Sequence, residues 1–320
     1  MKIFVTRVLP EAGLGLLREA GHTLTVYSGK RELTPEELIA ECLKHEALLS
    51  AGHNKLDAAF FRSCGHLKVV ALYSVGYDHV DLKAAASAGV PVSNTPDVLS
   101  AATADTAFLL LLSVSRKAFY LHKQIAAGKW GFYDPTSNLG VELTGKTLGV
   151  FGLGAIGLEL AKRCQGAYGM KVIYHNRNIN PVAEQQLGAR YVSFDELLEQ
   201  SDVLSVHATL TAQTRGLFNK EVFGKMKPSS IFINTGRGGL HNEADLLQAL
   251  LDKQIWGAGL DVTNPEPMDP GNPLLDLPNV AVLPHIGSAT VEARDAMARV
   301  AAMNLLAAAE GRELPNPVSL

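Results

Sequence analysis

Short aliphatic runs alternate with amphipathic stretches along most of the chain. Lys2–Thr6, Thr23–Tyr27, Ala47–Ser50, Val69–Leu72 and Val90–Ser93 have the length and side chains of buried strands. Between them, Glu11–Glu19, Thr34–Lys44, Asp57–Ser63 and Leu82–Ala88 repeat apolar residues at helical spacing. Thr34-Pro35-Glu36-Glu37 supplies an N-cap, a proline at the first helical position and acids in the first turn, so a helix starts there. Strand and helix in alternation predict a parallel sheet covered by helices. After Asn94-Thr95-Pro96, the stretch Ser100–Phe119 reads as one long apolar helix, and beyond Gly131 the chain is irregular until Thr147. A second α/β set then opens, with strands expected at Thr147–Phe151, Lys171–His175, Tyr191–Val192, Val203–His207, Ile231–Asn234, Gly257–Asp261 and Val280–Leu283. Thr290–Glu310 reads as a last long helix, in which the alanine-rich Ala301–Ala309 is strong helix former.

Three glycines give the second set its character. Val150-Phe151-Gly152-Leu153-Gly154-Ala155-Ile156-Gly157 places G-x-G-x-x-G after a strand and before a helical pattern, the context a dinucleotide fingerprint requires. The first glycine permits a tight turn, the second lets backbone approach a pyrophosphate, and the third lets helix and strand pack closely. Ala155 and Ile156 would start the helix whose free N–H groups and dipole attract that anion. Nineteen residues beyond Gly157, where an NAD-binding unit usually carries an acid for the ribose 2′-hydroxyl, stand Asn176 and Arg177. A carboxylate would repel a 2′-phosphate, whereas an amide and a guanidinium accept one. NADPH is therefore the expected cofactor, with NADH possible as a second.

The expected fold is α/β: two doubly wound parallel-sheet domains of Rossmann/flavodoxin-like design with a cleft between them, where the strands' carboxyl ends hold ligands. Residues 1–98 plus 289–320 would form a discontinuous substrate domain and 99–288 the dinucleotide-binding domain, consistent with a length of 320 residues. A hydrophobic content of 47% beside 19% charged residues is that of an ordinary globular chain. The net charge of −3 argues against nucleic acid and against a polybasic membrane patch. Cys42, Cys64 and Cys164, with no C-x-x-C, offer neither a disulfide framework nor a zinc site, so no metal is expected. The N-terminus lacks the apolar core of a signal peptide, and Ala107–Leu112 is too short to span a bilayer, so a cytoplasmic protein is expected.

Three further clusters follow expected strands: Asn234-Thr235-Gly236-Arg237-Gly238, Asp261-Val262-Thr263-Asn264-Pro265-Glu266-Pro267 and Pro284-His285-Ile286-Gly287-Ser288. Reduction of a 2-oxo acid needs a cation for the carboxylate and ketone, and an acid for the developing alkoxide. Arg237, always charged and able to grip two oxygens, suits the first task. His285, an imidazole that exchanges protons near neutral pH, suits the second, and Glu266 would pair with the imidazolium and hold the ring.

With the glycine turn, Val75-Gly76-Tyr77-Asp78 and Asp105-Thr106, this order of clusters resembles the D-2-hydroxyacid dehydrogenase family over nearly the whole chain. Ser74–His79, Thr95–Leu99 and His285–Thr290 resemble the glyoxylate/hydroxypyruvate reductases within it. The resemblance implies that Arg237, Glu266 and His285 form the catalytic set. It implies that Val75 and Gly76, with Arg237 and His285, bind the substrate, and a carboxylate on backbone N–H groups needs no charged side chain. It implies that Asp261 meets the nicotinamide carboxamide, that Thr106, Thr235, Gly236 and Gly287 line the nicotinamide side, and that His207 lies near the adenosine. Thr209 departs from the proline the family usually has there. His53, His175 and His241 receive no role. Lys129–Tyr133 lies where family dimers exchange an arm, so a homodimer built through Ser100–Phe119 and this arm is expected. That loop and Ser50-Ala51-Gly52-His53 would shape the pocket. The expected partner is a small 2-oxo acid, glyoxylate or hydroxypyruvate. A 2-ketogluconate-like sugar-acid reductase and a nucleotide-sensing, corepressor-type binding protein are the alternatives.

Overall fold

The computed structural model describes residues 1–52 and 54–318, so His53, at the end of the expected pocket loop, lies outside the described residues. The chain forms two compact units, Met1–Leu99 with the segment from Ser288 onward, and Ser100–Gly287.

In the first unit β1 (Lys2–Val5), α1 (Glu11–Glu19), β2 (Thr23–Val26), α2 (Pro35–Cys42), β3 (Ala47–Ser50), α3 (Ala58–Ser63), β4 (Val69–Leu72), α4 (Leu82–Ser87) and β5 (Val92–Ser93) alternate. The strands form a parallel sheet in the order β2-β1-β3-β4-β5. β3 and β4 are buried on both faces, which is why they read as mostly apolar runs without polar alternation. Thr34 caps α2 in a full capping box with Glu37, as its sequence predicts.

The second unit contains α5 (Ser100–Ser115), α6 (Ala118–Ala126), β6 (Thr147–Phe151), α7 (Ala155–Tyr168), β7 (Lys171–His175), α8 (Pro181–Leu187), β8 (Arg190–Tyr191), α9 (Phe194–Gln200), β9 (Val203–Val206), α10 (Lys220–Lys225), β10 (Ile231–Asn234), α11 (Glu243–Leu251), β11 (Gly257–Leu260) and β12 (Val280–Val282). Its parallel sheet runs β12-β11-β10-β9-β6-β7-β8. One face packs Leu110, Leu111 and Val114 of α5 and Leu160 and Cys164 of α7. The other packs Leu197 of α9, Phe223 of α10 and Leu246 of α11. The last helix, α12 (Val291–Ala309), returns to the first unit and lies against α1 and β4. It approaches α1 so closely at Gly13 that a Cβ there would sit 2.3 Å from the Ala298 carbonyl oxygen.

The single helix expected at Ser100–Phe119 is in fact two. Lys117 adopts a left-handed φ of 55°, and its N–H bonds to Val114 O, tightening the last turn. Its ammonium then sits 5.2 Å from the Trp256 ring centroid, while Ser115 O accepts from Val141 N. Strand ends differ from expectation by one or two residues at Val92, Arg190 and Val206. No described helix is long and apolar enough to cross a membrane.

Candidate active site

Every strand of the second sheet runs parallel, so the residues that follow the strands gather along one edge in the order of the strands. They are His285 beyond β12, Asp261 beyond β11, Arg237 beyond β10, His207 beyond β9, Gly152 beyond β6 and Asn176 beyond β7. The chain winds outward from β6 through β7 to β8, then restarts at β9 on the other side of β6. Strand order reverses there, and α/β sheets hold their ligands at such a reversal.

The turn after β6 suits a dinucleotide. Gly152 makes it at φ 91°, and a Cβ there would strike Ala208 N at 2.7 Å. A Cβ at Gly154 would meet nothing within 4 Å, so the second glycine leaves open the space that close approach of a pyrophosphate needs. At Gly157 a Cβ would lie 2.9 Å from Val150 Cγ1, so the third glycine allows α7 to pack on β6. No side chain caps α7, and its first N–H groups, from Ala155 on, remain for an anion.

At the other end of the sheet, His285 Nδ1 lies 3.1 Å from Glu266 Oε2. With the carboxylate as acceptor, Nδ1 carries the proton and donates it. Glu266 is itself held, since Oε1 accepts from Thr263 N at 3.1 Å. His285 adopts a left-handed φ of 54°, an unusual conformation for a side chain this large. Asp261 holds it there. The His285 N–H donates to Asp261 O at 2.9 Å, and the Asp261 carboxylate accepts from Ile286 N and Gly287 N, each at 2.8 Å. Burial pushes the Asp261 carboxyl above its ordinary value, and the two N–H donors offset part of that.

Arg237 stands in a turn organised by Asn234. The Asn234 Oδ1 accepts from Gly236 N at 3.0 Å, while its Nδ2 donates to Arg237 O at 2.9 Å and to His241 Nδ1 at 3.0 Å. His241 is only 2% exposed, its Nε2 has no hydrogen-bond partner, and burial lowers its pKa to about 4. His207 sits between two hydroxyls, Ser205 Oγ at 2.9 Å and Thr235 Oγ1 at 3.1 Å, and burial likewise lowers its pKa to about 4. Both rings are neutral near pH 7. Thr106, buried on α5, turns its hydroxyl to Ala102 O at 3.2 Å.

A family model described as "D-isomer specific 2-hydroxyacid dehydrogenase, NAD binding domain" matches residues 108–287. The chain is 41% identical to the glyoxylate reductase of Thermococcus litoralis, over 99% of this chain and 96% of that one. It belongs to the D-isomer specific 2-hydroxyacid dehydrogenase family. As such it is an NAD(P)-dependent oxidoreductase. Among solved structures of this dehydrogenase fold, one from Thermus thermophilus matches with a TM-score of 0.92, 44% identity and 100% of both chains covered. The NADPH-dependent glyoxylate/hydroxypyruvate reductase of Sinorhizobium meliloti, solved with NADP and malonate, matches with a TM-score of 0.86 and 35% identity, covering 99% of this chain and 96% of that one.

Two residues expected at the cofactor also serve the protein's own backbone. The Asn176 amide, expected to face a 2′-phosphate, closes on the glycine turn: Oδ1 accepts from Leu153 N at 2.6 Å and Nδ2 donates to Leu153 O at 3.2 Å. Asn180 Nδ2 donates to the same carbonyl at 2.8 Å. An amide matches a peptide group donor to acceptor. Arg177, just past β7, is exposed. Asp261, expected to meet a nicotinamide carboxamide, is 1% exposed and holds the His285 loop. Asn180, Asn234 and Ser205 received no role from the sequence. Asn180 also caps α8, its Oδ1 accepting from Ala183 N at 3.2 Å.

Proposed function

We propose that this dehydrogenase reduces glyoxylate and hydroxypyruvate, with NADPH preferred over NADH. The pairing of His285 Nδ1 with Glu266, on a loop gripped by Asp261, carries the reading. That arrangement directs Nε2, the remaining ring nitrogen, to the proton transfer. When bound, the reduced nicotinamide supplies a hydride to the 2-oxo carbon. The Arg237 guanidinium holds the carboxylate and polarises the ketone, and His285 gives its Nε2 proton to the alkoxide as charge develops. Glu266 stabilises the cationic ring beforehand and keeps its orientation. Val75 and Gly76 take the substrate carboxylate on their N–H groups. Gly152, Gly154, Ala155, Ile156 and Gly157 hold the pyrophosphate, with His207, Thr106, Thr235, Gly236 and Gly287 lining the rest of the dinucleotide site.

The NADPH preference rests on Arg177, which stands where an acid would exclude a 2′-phosphate, and the Sinorhizobium meliloti relative is an NADPH-dependent enzyme. The substrate is supported by the glyoxylate reductase relatives. Steady-state turnover of a panel of 2-oxo acids with each cofactor tests the reading. Glyoxylate and hydroxypyruvate with NADPH should give the highest kcat/KM, a preference for 2-ketogluconate would move the substrate, and no turnover at all would leave a nucleotide-binding protein. We also infer a homodimer. Trp130, Phe132 and Tyr133 are 78%, 84% and 87% exposed in one chain, a run of aromatics that a second copy would cover. Sedimentation showing only a 34.2 kDa species would remove it.

A further inference from the structure

The loop after β4 has its acceptors drawn inward. Ser74 O accepts from Thr95 N at 2.9 Å, Val75 O from Asn94 Nδ2 at 2.8 Å, and Gly76 O from Ser74 Oγ at 2.8 Å. Neither the Val75 nor the Gly76 N–H donates to any group among the described residues. Three successive carbonyls are thus tied back while two N–H groups remain, the polarity that an anion requires.

Asn94 in turn is held from the far end of the chain. Its N–H donates to Asn316 O at 3.2 Å. Asn316 exchanges two hydrogen bonds with Asn304 of α12, N–H to Oδ1 at 3.0 Å and Nδ2 of Asn304 to Oδ1 at 3.2 Å. Asn304 is fully buried, and its amide also donates to Val300 O at 2.9 Å. Just past this point the tail pairs with β5, through a Ser93–Pro317 bridge and Val318 N to Val92 O at 2.8 Å.

We propose that Asn94 is a positioning residue for substrate-carboxylate recognition, and that Asn304 and the Asn316 segment hold it in place. The inference rests on the reading of Val75 and Gly76 as the carboxylate loop. The Val75–Gly76 peptide can present its N–H to an anion only while the Val75 carbonyl is kept away, and the Asn94 amide is the group that keeps it away. With the amide gone, that peptide is free to rotate and turn a carbonyl toward the carboxylate.

The test compares wild type, Asn94→Ala, Asn94→Asp and Asn304→Ala. Oxalate affinity in the presence of NADPH is measured by titration calorimetry, and KM and kcat are measured for glyoxylate and for methylglyoxal, which lacks a carboxylate. Loss of one such hydrogen bond should weaken oxalate and raise the glyoxylate KM about five- to tenfold, with kcat moving much less. Asn94→Asp should be worse than Asn94→Ala, since it replaces the donor with a negative acceptor. The preference for glyoxylate over methylglyoxal should shrink, a change that general loosening of the fold would not produce. Asn304→Ala should show the same pattern more weakly; if it unfolds the protein, the Asn94 pair still decides. Oxalate affinity equal in wild type and Asn94→Ala, or absent in wild type, overturns the inference. A wild type that binds oxalate but reduces no 2-oxo acid defeats the proposed function instead, and the affinity ratio still judges Asn94.

Discussion

Lowering the pH should unlock the second unit through His241, and the size of the effect follows from its surroundings. The ring is 2% exposed, takes a hydrogen bond on Nδ1 from Asn234, and has no partner at Nε2. A proton on Nδ1 would set two donors face to face and place a charge in an apolar site beside Phe232. Burial accordingly lowers its pKa from 6.5 to about 4. A depressed folded-state value means that the unfolded chain takes up the proton first. The stability His241 contributes is therefore complete above pH 6.5 and is lost as pH falls toward 4. Between pH 7 and pH 5 the linkage amounts to about 2 kcal/mol. Both tryptophans, Trp130 and Trp256, belong to the same unit, so their fluorescence reports its unfolding. Urea melts at the two pH values should show wild type losing about 2 kcal/mol more than His241→Asn, in which a side-chain oxygen still accepts from Asn234 but does not titrate. The readout is a difference between pH values, so any loss the substitution causes at pH 7 cancels. Equal pH dependence in the two proteins would refute the reasoning. Because Asn234 also shapes the Arg237 turn, acid should reduce turnover in wild type before it unfolds the chain.

Arg177→Ala should raise the NADPH KM about tenfold or more and leave NADH little changed, as a charge-assisted phosphate contact is worth ~1.5–3 kcal/mol. Asn176→Ala should instead weaken both cofactors alike, because its amide grips Leu153 in the glycine turn; a loss confined to NADPH would return it to the 2′-phosphate. His285→Gln should keep NADPH affinity and lose ~10²–10⁴-fold in kcat, the usual scale of general acid catalysis. Glu266→Gln should retain cofactor binding and fall in kcat as the cationic ring loses its counter-charge, and an unchanged kcat would break the proposed pair.

Much of the fold was legible because strands buried on both faces leave short, mostly apolar runs, as β3, β4, β9 and β10 do. The break at Lys117 was not. A lysine carries no signal for a left-handed φ, and the cause is tertiary, a packed Trp256 and a carbonyl claimed by Val141. Glycines and charged residues at strand ends announce themselves by type, so the turn at Gly152 and the neighbourhoods of Arg237 and His285 stood out. Amides do not. Asn94, Asn176, Asn180, Asn234 and Asn304 all bind peptide groups through contacts whose partners lie at a distance along the chain or at a turn, and composition says nothing about where an amide points.

The return of α12 to the first unit sets a timetable for synthesis. α1 and β4 both pack against α12, which brings the buried Met297, Ala301 and Leu305 to them. None of these later residues exists until the ribosome has made all of Ser100–Gly287, a wait on the order of 10–40 s at ~5–20 residues per second. The nucleotide-binding unit is contiguous and can fold as it emerges. The unit that starts first is therefore the one that finishes last, and in the interval its uncovered helix face is the natural place for a chaperone to hold.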